Sequence, residues 1–152
     1  MSEYEFTVSL RIRHPKIEPF TITETLGIAP QHTWKAGDPR RNPPGEDRVG
    51  VYRESYWMGR LMDEPQLSSG RMSVESVLLQ TLTQLRRSQP FLEQLSADGG
   101  VAELSVSLFA RENFRLELSA DTLALLGRLR LAVSLDVQPH APFDACVPEK
   151  NS

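Results

Sequence analysis

Apolar and polar residues alternate along the start of the chain. Tyr4, Phe6, Val8, Leu10 and Ile12 fall on one side, and Glu5, Thr7, Ser9, Arg11 and Arg13 on the other. A period of two predicts a half-buried strand with one wet face. His14-Pro15 ends it, because proline has no N–H to give to the ladder. Phe20, Ile22, Leu26 and Ile28 then fit a short helix opened by Pro19, which a first turn tolerates. Gly27 is placed to stop that helix in a left-handed conformation, and Pro30 forbids a restart. Residues 31–48 show no period and are punctuated by Gly37, Pro39, Pro43, Pro44 and Gly45, so an irregular loop is expected there. A second strand is expected over 49–58. Val51, Arg53, Ser55 and Trp57 share one side of it, Tyr52, Glu54, Tyr56 and Met58 the other, and neither side is apolar enough to fix which is buried. Residues 59–72 again read as irregular.

Ser73 is a natural N-cap for a helix whose Val74, Val77, Leu78, Thr81, Leu82 and Leu85 form one stripe. Arg86 and Arg87 close it, where cations favour the negative end of the helix dipole. Pro90 opens a second short helix over 91–97, ended by Asp98-Gly99-Gly100. Ala102, Leu104, Val106 and Leu108 alternate with Glu103, Ser105 and Ser107, and Phe114, Leu116 and Leu118 alternate with Arg115 and Glu117. The short connection between these runs predicts an antiparallel hairpin. Ser119 caps a further helix over 120–129, and Leu131, Val133, Leu135 and Val137 make a last strand. From residue 49 onward the order is strand, helix pair, strand, strand, helix, strand, which is ferredoxin-like. Strands with one polar face, and helices to cover the other, predict an α+β fold. The expected form is a two-layer sandwich with an about five-stranded, mostly antiparallel sheet and helices packed on one face. Residues 1–137 read as one domain and 138–152 as a proline-containing tail.

The opening strand is followed by Ile22-Thr23-x-x-Leu26-Gly27-Ile28-x-Pro30 and then by Trp34-Lys35-x-Gly37-Asp38. Trp57 at a strand end, the leucine-rich helix after Ser73 and a closing Leu135-Asp136-Val137 come next. In these motifs and their order, from Phe6 to Val137, the chain resembles domain of unknown function 4279, a family of small bacterial proteins. It departs at Val137, where the resemblance leads one to expect an aromatic residue. The resemblance implies the same fold and a bacterial cytoplasm, and it brings no activity with it.

Composition narrows the reading. The chain has 152 residues, 39% apolar and 24% charged, which excludes wholesale disorder. No apolar run approaches the ~18 residues that a membrane span needs. The first residues, Met1-Ser2-Glu3-Tyr4-Glu5, are acidic where a secretion signal is basic and then apolar. Cys146 is the single cysteine, so no intrachain disulfide forms, and the expected compartment is the cytoplasm. A net charge of -3 gives no overall attraction to nucleic acid. Three of the 17 basic residues are lysine and the rest are arginine, spread along the chain.

The richest candidate surface is the loop from Gln31 to Arg41. Trp34, Lys35, Asp38, Arg40 and Arg41 are its candidate binding residues, joined by Trp57 on the following strand. Trp34 could stack on a base while Arg40 or Arg41 meets a phosphate. In the competing reading Trp34 lies as a lid over the sheet edge, the arginines sit in water, and Glu46 and Asp47 offset their charge. His14, His32 and His140 are the only imidazoles and lack helical metal-site spacing, so no metal is expected. His14 reads as a solvated edge residue. Asp63-Glu64 reads as a solvated pair. No glycine-rich phosphate loop and no G-x-S-x-G elbow occur, and no cofactor is expected. The expected function is a non-enzymatic module that binds another protein, as an immunity-type or regulatory partner. The alternatives are nucleotide or nucleic-acid binding through Trp34, Arg40 and Arg41, and a small hydrolase using His32 with Asp38.

Overall fold

A computed structural model describes residues 3–40, 50–64 and 66–138. Within them the elements run β1 (Glu5–His14), α1 (Pro19–Leu26), β2 (Pro30–Trp34), β3 (Ser55–Arg60), β4 (Leu67–Ser68), α2 (Val74–Leu85), α3 (Gln89–Ala97), β5 (Val101–Phe109), α4 (Ala120–Arg128) and β6 (Leu131–Gln138). A 3-10 turn, Arg86–Ser88, joins α2 to α3.

The inward row of β1 is the one its alternation singles out: Phe6, Val8, Leu10 and Ile12 are fully buried and Tyr4 nearly so. β1 pairs antiparallel with β3 on one side and β5 on the other, and the sheet order is β2-β3-β1-β5-β6. β4 adds a short ladder at Glu5 and Phe6. Among the described residues only β5 and β6 run parallel, with α4 as their crossover. The helices lie over the inward row. The result is the expected two-layer α+β sandwich, with a six-stranded, mostly antiparallel sheet.

Local chemistry sets the helix ends. α1 starts on Pro19, and Gly27 stops it at φ +70° with its N–H donating to the Thr23 carbonyl. Ser73 Oγ accepts from the Ser76 N–H at 3.1 Å, and Ser119 Oγ accepts from the Thr122 N–H at 3.2 Å. All six residues of the predicted α2 stripe are buried. At the N-terminal end of that helix the Glu75 carboxylate accepts from the Ser119 N–H and from the Thr122 and Ser119 hydroxyls. These bonds hold it below the usual carboxylate range and tie the start of α4 to the start of α2.

Four secondary-structure expectations need correcting. Residues 59–72 are not wholly irregular, since Gly59 and Arg60 end β3 and Leu67–Ser68 form β4. Residues 31–34 belong to β2; an edge strand whose side chains are nearly all exposed has no apolar alternation to betray it. The second long strand is ladder only over Ser55–Arg60, while Val51 makes an isolated bridge to Pro39. Its buried side holds Ser55, Trp57 and Gly59. Phe114, Leu116 and Leu118 do alternate inward, with Phe114 tilted against Tyr4 at 4.6 Å, yet they form no strand. Both edges of β5 are already taken, by β1 and by β6, so no place remains for a hairpin partner. From β3 the order is therefore strand, strand, helix pair, strand, helix, strand. The predicted tail lies, after Gln138, outside the described residues, as do Cys146 and His140.

Leu78 and Leu79 are adjacent on α2, but Leu78 is fully buried and Leu79 is 39% exposed. Leu78→Ala is expected to cost about 2–5 kcal/mol in urea unfolding, and Leu79→Ala to stay within about 0.5 kcal/mol of the parent. Equal losses would contradict the assigned face.

Candidate functional site

The strand pleat that buries Phe6 to Ile12 turns the other row outward, where Arg11 and Arg13 are exposed, while Ser105 and Phe109, on the same side of β5, are buried. Register fixes its pattern. Trp34 faces Tyr56, which faces Arg13, which faces Val101. One step along, His32 faces Met58, Met58 faces Arg11, and Arg11 faces Glu103. The next row places Arg60 beside Ser9. Gln31, its carboxamide oxygen turned to Arg60, accepts from Nε at 3.2 Å and Nη2 at 3.1 Å.

An aromatic stack closes the β2 end of this face. Trp34 stacks on Tyr52 and on Tyr56, each at 4.5 Å between ring centroids and with interplanar angles of 13° and 21°. All three rings are half-buried. Such pairs contribute about 0.5–1.5 kcal/mol each beyond area burial, so the stack is a rigid feature of the surface. Beside it, Arg11, Arg13, Tyr56 and Glu103 line a depression of about 180 Å³. Among the described residues neither Arg11 nor Arg13 has an ion-pair partner.

The candidate residues are distributed as follows. Trp34 is on this face, stacked rather than free. Lys35 pairs with Glu18 at 3.2 Å. Asp38 Oδ2 accepts from the Lys35 N–H at 3.2 Å and so closes its own turn, whose Gly37 has φ +92°. The Arg40 side chain is exposed, and its N–H donates to the Gly50 carbonyl at 3.1 Å. Arg41 lies outside the described residues, with Glu46 and Asp47. The two legs of the connection are zipped by the Gly37 N–H to Tyr52 O and Tyr52 N–H to Asp38 O bonds, both 2.9 Å. His32 and Asp38 share no hydrogen bond or ion pair.

Trp57 is a core residue and offers no binding surface. It is fully buried, and its Nε1–H donates to Thr23 Oγ1 at 3.0 Å. A Cβ on Gly59 would come within 2.6 Å of the Trp57 ring and 3.1 Å of Ile28, so the indole occupies the space that glycine leaves. Sequence reading missed Arg11, Arg13, Tyr52, Tyr56 and Glu103. The signal for Arg11 and Arg13 was the same alternation that found the core.

The family model for the domain of unknown function (DUF4279) matches residues 3–140. The chain belongs to this family. No curated protein and no solved structure matches it. Of the residues that carry the resemblance, Leu26 and Trp57 pack in the layer under the sheet, whereas Trp34 and Asp38 shape the rim of its other face. A wider cleft of about 500 Å³ lies between the end of α1 and the start of α3, lined by Glu24, Gly27, Gln84, Arg87 and Phe91 among others. Among the described residues no group of three or more His, Cys, Asp or Glu is placed to hold a metal ion. None of the described helices is long and apolar enough to cross a membrane.

His14 is buried, not solvated as its position suggested. Its Nδ1 accepts from the Lys16 and Ile17 N–H groups at 3.0 and 2.9 Å, and Nε2 sits 4.0 Å from Asp98. A Cβ on Gly100 would come within 2.9 Å of the ring, so the imidazole is wedged against the α3–β5 turn. Burial pushes its pKa down, partly opposed by Asp98, and Lys16 adds to the lowering. The unfolded chain therefore takes up this proton first as pH falls. The contribution is complete above about pH 6.5 and is lost as pH drops below that value. Urea unfolding of the wild type and His14→Asn at pH 7.5 and 5 should show a smaller drop for the variant, whose carboxamide keeps an acceptor but does not titrate. An identical drop would assign the effect to other groups.

Proposed function

We propose that this DUF4279 protein is a non-enzymatic binding module that docks another protein on the outward face of its sheet. The carrying observation is the Tyr52–Trp34–Tyr56 stack next to Arg11 and Arg13, which have no ion-pair partner among the described residues. Tryptophan, tyrosine and arginine are the side chains that dominate interface energetics, and rigid ones lose least entropy on docking. Although the whole chain carries a net charge of -3, this part of its surface sets Arg11, Arg13 and Arg60 against Glu103. That favours a partner with acidic groups, in the manner of an immunity-type or regulatory complex in the cytoplasm.

Nucleotide or nucleic-acid binding through Trp34, Arg40 and Arg41 has less support, because the Trp34 ring is already stacked on tyrosines. A hydrolase using His32 and Asp38 has less again, since the Asp38 carboxylate is engaged in its own turn. The test is affinity purification from the native cell with the wild type and a folded Arg11→Glu/Arg13→Glu variant. The wild type should retain a stoichiometric protein partner that the variant loses by tenfold or more, about 1.4 kcal/mol. No partner, or equal retention by both, overturns the reading.

A further inference from the structure

The two edges of the sheet are finished differently. β2 is five residues long, opens on Pro30 and slips register between Pro30 and His32. Proline and a bulge are ordinary means of keeping an edge from pairing. β6 is eight residues long, has no proline and holds an unbroken register with β5 from Leu131 to Gln138. Among the described residues no strand pairs with its outer side. Asp136 is its single charged residue.

Its apolar row is only half covered. Leu131 is buried and Val133 half-buried, whereas Leu135 and Val137 are 48% and 58% exposed. Both exposed residues lie on the helix side of the sheet, because their register partners Val106 and Leu108 are core residues.

We propose that β6 pairs antiparallel with β6 of a second copy of this chain, across a two-fold axis at Ser134. Facing residues in such a pair must share a side of the sheet, so the two registers with most overlap centre on Ser134 or on Leu135. Centred on Ser134, Leu135 faces Val133 of the second copy and Val137 faces Leu131. Each exposed apolar half then lies beside the covered half of the other copy. Asp136 faces Ala132, and the exposed Arg130, in the turn that enters β6, lies one diagonal step away. Symmetry makes that attraction twice. Centred on Leu135, the diagonal neighbour of Asp136 is instead Asp136 of the second copy, a like-charge contact. Apolar cover and charge therefore choose the same register. The proposal uses the sheet edge, not its outward face, and is independent of the partner reading above.

Sedimentation equilibrium tests it. The wild type should show a reversible species of twice the 17.1 kDa chain mass. Asp136→Arg should raise the dimer dissociation constant about tenfold, and Arg130→Asp/Asp136→Arg should restore it. Leu135→Lys/Val137→Lys should abolish the dimer with an unchanged circular dichroism spectrum. A monomer at every concentration overturns the proposal. So does a dimer indifferent to the lysine pair, or a charge swap that fails to restore association.

Discussion

Phe6, Val8, Leu10 and Ile12 stand on one side of a single strand, and the rest of the molecule is arranged around keeping that row dry. β1 is the central strand: Ile12 lies in register with Trp57 and Ala102, and Leu10 with Gly59 and Leu104. Burying each such side chain contributes about 1.5–3 kcal/mol. A slip of one residue would push Arg11 and Arg13 inward and Leu10 and Ile12 into water. The alternation that builds the core thus also fixes where the arginines emerge. Core and candidate site are two consequences of one periodicity.

That dependence explains what could be read from the chain. Elements with a complete amphipathic signature, such as β1, β5 and α2, were legible because one face of each is buried along its length. β2 was not, because an edge strand with exposed side chains shows no pattern. The 114–118 run was read correctly as alternating and wrongly as paired. Its residues point inward as a strand's would, but sequence does not say that β6, the later strand, occupies the edge of β5. The parallel β5–β6 pairing depends on the α4 crossover, a long-range choice that local signals do not carry.

The candidate site was only partly legible. Attention to the proline-rich connection found Trp34, but the cations that accompany it come from β1. Lys35 and Asp38 are spent on local structure, in an ion pair and a turn. Trp57 is the reverse case. An aromatic on a strand of mixed faces reads equally well as anchor or as core, and only the space left by Gly59 and the hydrogen bond to Thr23 decide for core. His14 was misplaced for a similar reason: a residue before proline at a strand end looks solvated until the α3–β5 turn is seen to close over it.

Trp34 and Trp57 sit on adjacent strands and opposite faces of the sheet, so they report directly on its two faces. In Trp34→Phe the remaining indole is Trp57, and its emission should be blue-shifted and resistant to acrylamide. In Trp57→Phe the remaining Trp34 should be readily quenched. If Trp57 proves as quenchable as Trp34, the layer beneath β1 is not sealed, and the assignment of faces on which both proposed surfaces depend is wrong.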